Sequence, residues 1–262
     1  MVRNSALYRS LCAAWDLACD RSLPSSLRAI YSENADNDLE DFNPLYFLPL
    51  WGAFAGLLAL IAGKMISAVL PVNGSAVLFA LLLVIFSEIR TSGRGLALNV
   101  TLFAALFENK SFYESRQLRC ASLKNVSGVI PLLLSIVMLG GKFFAIVLIA
   151  RTGHFGIAAA AWVAALSAEG ILAAEDCAVG VPDFCQQAKG SYIAATGGFL
   201  MLFNFIFLPL PTLIAIGAAA VITIVTLVLL RKRMDKIDSD DMTSIGYLLE
   251  FAVLAIYALL IG

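Results

Sequence analysis

The sequence predicts an all-α integral membrane protein, a polytopic helical bundle of about seven spans. Three observations predict it. Of the 262 residues 60% are hydrophobic and only 14% charged, with a mean hydropathy of +0.88, whereas a soluble domain carries about 25% charged residues. The apolar residues are gathered into long runs, and a helix needs about 20 such positions to cross roughly 30 Å of hydrocarbon. The runs are rich in Leu, Ala, Ile and Gly and lack the roughly ten-residue alternation of an outer-membrane barrel. Helices bond their own backbone internally, which makes them the expected spanning element.

The N-terminal stretch ALYRSLCAAWDLACDRS holds Asp16 and Asp20 where a signal peptide would be apolar. Leu7, Leu11, Trp15 and Ala18 fall on one helical face, which suits a helix in the membrane interface or one packed on the bundle. Residues 32–43, SENADNDLEDFN, carry five acids and no base and read as a solvated linker. The chain therefore divides into an N-terminal amphipathic helix with acidic linker, 1–44, and an integral membrane domain, 45–262. Spans are expected near 45–63, 74–89, 126–150, 153–174, 191–210, 211–230 and 245–262. The apolar segment 95–107 is too short to cross and is expected to be re-entrant or buried against the bundle. Gly52 and Gly56 form a GxxxG pair, which close helix packing explains.

Basic residues set the orientation. With the N-terminus inside, fifteen of the eighteen Lys and Arg residues fall in inside segments. Outside lie Lys64 and Arg151, and Lys142 is within a span. The expectation is an inner-membrane protein with a cytoplasmic N-terminus and an outside C-terminus. The longer polar stretches, 88–125, 175–190 and 231–244, then share the cytoplasmic face.

Net charge −1 and the absence of a Lys/Arg-rich run give no basis for nucleic-acid binding. The cysteines at 12, 19, 120, 177 and 185 have no CxxC spacing, and one histidine, His154, builds no metal cluster. No P-loop, GxSxG or HExxH occurs, and Gly93-x-Gly95 lacks the third glycine and preceding strand of a dinucleotide site. The ionisable residues within or at the ends of spans are Glu88, Lys142, Glu169 and Glu250. Each costs several kcal/mol in hydrocarbon, about 2.5–3.5 for Lys or Asp at mid-helix, so each is a functional candidate. Lys142 and Glu169, deep in adjacent spans, could pair, as a register lock or as a transport relay. Glu88 and Glu250 either reach an interface or act within the bundle. The loop RKRMDKIDSDDMTS holds Asp235, Asp238, Asp240 and Asp241 after its basic residues. It reads as a solvated loop with a positive-inside anchor, or as oxygen ligands for Mg²⁺ on a diphosphate.

The order of these features resembles the adenosylcobinamide-GDP ribazoletransferases, the cobalamin-5′-phosphate synthases. LPLWGAFAG (48–56) is similar to the family's P-L-x-G-x-x-x-G at its first span, and DRSLP (20–24) to its T-R-x-P. The second span leads in the family to H-L-D-G-L-A-D-x-x-D-G; here SGRGLALNVTL matches it at Gly95-Leu96-Ala97. LKNVSG (123–128) resembles M-K-D-S-R-x-G, followed by a span with a lysine, here Lys142. The tail RKRMDKIDSDDMTSIGYLLEF resembles G-G-x-T-G-D and a last helix with Glu, placing Asp240 and Glu250 at those acids.

The resemblance covers roughly residues 15–262. It implies transfer of cobinamide phosphate from adenosylcobinamide-GDP to α-ribazole, releasing GMP, with Mg²⁺ neutralising the attacked diphosphate. It places Asp240 at the metal position and Lys124 and Asn125 in the family's basic segment as substrate-binding candidates; Arg90 and Arg94 are substrate-binding candidates on their own chemistry, as arginines able to hold a phosphate or anionic head group, and no residue is assigned as catalytic. The sequence also departs from the family. Arg94, Leu98 and Thr101 stand at its three aspartates, Asn125 and Ser127 replace an Asp and an Arg, and no base follows Ser167. The alternative is a non-catalytic descendant that binds a corrinoid or lipid or scaffolds a membrane partner. A small permease using Lys142 and Glu169 would predict inverted repeats, and the sequence has none.

Overall fold

The computed structural model describes residues 6–18, 43–91, 95–107, 129–174, 178–179, 188–207, 210–233 and 237–262. They form nine α-helices: α1 Ala6–Ala18, α2 Leu48–Val69, α3 Val72–Arg90, α4 Gly95–Phe107, α5 Val129–Arg151, α6 Ile157–Ala173, α7 Gly190–Phe207, α8 Pro211–Arg233 and α9 Ser239–Ile261. A 3-10 turn, Pro44–Phe47, leads into α2, where the Asn43 side chain accepts from Leu45 N at 3.1 Å. Two-residue strands, β1 Ala178–Val179 and β2 Ile237–Asp238, pair in parallel and tie the segment after α6 to the one before α9. Of the acidic linker only Asn43 lies among the described residues.

Five helices are long and apolar enough to cross a membrane, within Pro44–Val69, Val72–Arg90, Ile130–Arg151, Pro211–Leu229 and Asp241–Ile261. The protein is a helical bundle of membrane type. Its outward side chains confirm the class: Phe54, Leu57, Leu58, Ile61 and Met65 of α2 are exposed, as are Val221, Ile224 and Val225 of α8. Contiguous apolar exposure of this kind suits a membrane or protein interface.

Two helices form the centre. In α9, 61% of the membrane-length stretch is buried, against 22–39% in the other four. The Ala-rich α6 is buried along almost its whole length and packs on α2, α9 and α7. Small side chains allow that approach. On α2, Gly52 and Gly56 are buried against α6 and Gly63 against Phe155 in the turn before it; a Cβ at Gly52 would lie 2.7 Å from the Trp162 carbonyl oxygen, and one at Gly56 would overlap the Ala159 backbone. The GxxxG reading is thus realised as a backbone-to-backbone contact. Helices α5 and α6 are consecutive, yet α5 packs on α3, α9 and α4 instead. The turn between them closes on Gly153 at φ 77°, a conformation glycine adopts without Cβ strain.

The largest differences from the expected boundaries are at α2 and α9. Helix α2 continues past Lys64 to Val69, because the exposed ammonium can extend from the helix side while its stem stays on apolar surface. Helix α9 starts at Ser239 rather than near 245, taking Asp240 and Asp241 into its first turn, where carboxylates favour the positive end of the helix dipole. Segment 95–107 is the helix α4, with Leu98, Asn99, Val100, Leu102 and Ala104 buried. Helix α1 lies on the 3-10 turn and α2, burying Ser10, Ala13, Ala14 and Ala18. Trp15 meets Trp51 edge-on at 4.6 Å and Leu7 is exposed, so the helix packs on the bundle by one side and turns an apolar edge outward.

Candidate functional site

Helices α3, α5, α6 and α9 bring charged residues to one place. Lys142 of α5 is fully buried, with Nζ 2.9 Å from Glu250 Oε1 of α9. The same oxygen accepts from Ser87 Oγ at 2.8 Å and Trp162 Nε1 at 2.7 Å. Lys142 Nζ also stands over the Tyr247 ring, 4.1 Å from its centroid, and Tyr247 OH donates to Glu88 Oε1 at 2.8 Å. Beside them, Arg90 Nη1 of α3 donates to Glu169 of α6, at 2.9 Å to Oε1 and 3.2 Å to Oε2. Arg90 and Glu169 are 7% and 8% exposed, so this pair is also internal.

The expected pairing of Lys142 with Glu169 is corrected. Each found another partner, because α5 and α6 do not pack on each other: Lys142 meets α9, and Glu169 lies at the level of the α3 end, where it meets Arg90. Glu250 does not reach an interface, being 1% exposed; Glu88 is half-buried. Arg90, read as a substrate-binding residue, is held by Glu169 within the bundle. Arg94, Lys124 and Asn125 lie outside the described residues, as do Cys19, Cys120, Cys177 and Cys185; Cys12 is a half-buried free thiol. Asp240 is placed on α9 by its backbone alone, and its neighbour Asp241 is buried. His154 bonds Tyr257 OH at 3.1 Å, far along α9 from Glu250.

Tyr247, Ser87 and Trp162 were missed from the sequence. Tyr247 and Glu250 stand three apart, hence on one face of α9. Trp162, within the alanines of α6, was a signal in itself, since an indole N–H in hydrocarbon needs an acceptor.

Leu98 and Thr101, which the resemblance sets against aspartates, are both 7% exposed. Thr101 Oγ1 donates to the Leu98 carbonyl at 2.8 Å, and Ser244 Oγ of α9 donates to the same carbonyl at 3.2 Å. This end of α4 is turned into helix contacts. Among the described residues no group of three or more His, Cys, Asp or Glu could hold a metal ion.

Gly246 gives the Arg90–Glu169 pair its room, because a Cβ there would overlap the Glu169 carboxylate. Gly246→Ala is expected to lower the thermal midpoint in detergent, by the roughly 1–3 kcal/mol typical of overpacking. Combining it with Glu169→Ala should reduce that loss, since the colliding group is gone; a loss of the same size in the Glu169→Ala background would refute the contact.

Comparison with protein-family models, with curated proteins and with solved structures finds no match to this chain.

Proposed function

We propose that the chain is a membrane-embedded protein on the ribazoletransferase plan whose bundle acids serve structure, and which binds a corrinoid or lipid, or holds a membrane partner, without catalysing the transfer. The observation that carries this reading is Glu250. The residue corresponding to the family's last-helix acid is committed to Lys142, Ser87 and Trp162. The burial of Leu98 and Thr101 supports it further. In this reading α2, α3, α5, α6, α7, α8 and α9 make seven crossings of a cytoplasmic membrane. The N-terminus is then cytoplasmic and the C-terminus outside, following the distribution of basic residues.

The runner-up retains the transferase activity, with Mg²⁺ held through Asp240 and acids whose side chains lie outside the described set. The two are separated by incubating purified protein in lipid with adenosylcobinamide-GDP, α-ribazole and Mg²⁺, and following GMP and the corrinoid product. The expected result is no product above a protein-free background. Product that disappears in Asp240→Ala would overturn the non-catalytic reading and establish the enzyme.

A further inference from the structure

The two oxygens of Glu250 are used unequally. Oε1 accepts from Ser87 Oγ and Trp162 Nε1 and lies 2.9 Å from Lys142 Nζ. Oε2 is buried and has no hydrogen-bond partner among the described residues. A buried carboxylate oxygen without a protein donor is a high-energy acceptor. Two hydrogen-bond donors and the Lys142 ammonium already crowd the other oxygen, so a rotation of the carboxylate would strand one of them. The residue is 1% exposed, which excludes any ligand that needs an open pocket. A proton needs none.

We propose that Glu250 Oε2 is a proton-exchange site inside the bundle, with Lys142 as its fixed counter-charge. The bond formed is O–H at Oε2, the proton coming from solvent, and the carboxylate becomes a neutral acid. Lys142 is then a buried cation whose counter-ion has been discharged, so proton uptake loosens the hold of α5 on α9. The packing of the last helix becomes sensitive to acidification. This does not depend on the transferase resemblance.

Titratable and charged groups around Glu250 come from each packed element. Helix α3 contributes Glu88 and Arg90, α5 Lys142 and α6 Glu169. Helix α4 has no titratable side chain, and those of α8, Arg231, Lys232 and Arg233, stand at its far end. Helix α9 itself carries Asp240, Asp241, Tyr247 and Tyr257.

Trp162 is the reporter, because its indole N–H is bonded to the titrating carboxyl. The experiment uses full-length protein in lipid nanodiscs with Trp15→Phe and Trp51→Phe, so that Trp162 is the sole tryptophan, and follows its emission with pH while circular dichroism monitors helicity. A single-proton transition on acidification is expected. Glu250→Gln should abolish it, and Lys142→Met should move it to higher pH by about 1–3 units, because the ionised carboxyl loses its neighbouring cation. Ser87→Ala should move it the same way by less, and it carries the test if Lys142→Met does not fold. The proposal is overturned by flat Trp162 emission in folded protein, by a transition that persists in Glu250→Gln, or by a midpoint that Ser87→Ala leaves in place.

Discussion

Lys142→Met is expected to destabilise the protein by about 3–5 kcal/mol, and Glu250→Gln by a comparable amount, because each leaves one buried charge without its partner. The double variant Lys142→Met/Glu250→Gln should be more stable than either single one. It removes both charges together, and the glutamine carbonyl can still accept from Ser87 Oγ and Trp162 Nε1 at the place where Glu250 Oε1 accepts now. The pair is fully internal, with side-chain exposures of 0% and 2%, so solvent screening does not dilute the effect as it does at a surface. Unfolding in mixed micelles, run as a double-mutant cycle, provides the measurement. Singles that cost under about 1 kcal/mol each, or that simply add in the double, would contradict a desolvated pair.

Gly56→Ala should have the second large effect. The added methyl would fall on the Ala159 backbone and Cβ, and backbone cannot rotate aside as a flexible side chain can. The α2–α6 contact must therefore open, costing at least the roughly 1–3 kcal/mol of ordinary overpacking. Gly56→Leu is expected to prevent folding. Gly140 of α5 supplies the control, because nothing lies within 4 Å of a Cβ placed there. Gly140→Ala should be neutral or stabilising, by up to about 1 kcal/mol from helix propensity. The comparison is read from thermal midpoints in one detergent. Equal tolerance at positions 56 and 140 would mean that α2 and α6 are not in backbone contact.

The two sites differ in how far they could be read beforehand. Gly52 and Gly56 stood four apart in an apolar run, and that spacing alone puts both on one face of a helix; the partner, α6, had no such mark. The ionisable residues of the cluster were also visible singly, since a charge in an apolar run is conspicuous. Their pairing was not. Proximity in sequence suggested Lys142 with Glu169 on successive helices, but after the turn at Gly153 α5 and α6 do not pack on each other. Lys142 meets Glu250, more than a hundred residues on, and Glu169 meets Arg90, 79 residues back. Trp162 and Ser87 entered the cluster through those same long-range contacts.

The sequence by itself determined the solvent of this protein and the nature of its elements. Runs of apolar residues have one low-energy state in hydrocarbon, the helix, and its hydrogen bonds are local, so periodicity and run length suffice. Only the tertiary structure decided which helices touch and which charges are neutralised. Lipid-facing and helix-facing positions are both apolar, so hydropathy does not distinguish α6 and α9 at the centre from α8 at the edge. That ordering is set by where backbones can approach, at Gly52, Gly56 and Gly246, and by the need of Lys142, Glu250, Arg90 and Glu169 to find partners away from lipid. Those requirements are satisfied between distant segments all at once, in three dimensions, which is why the arrangement is not written in any one of them.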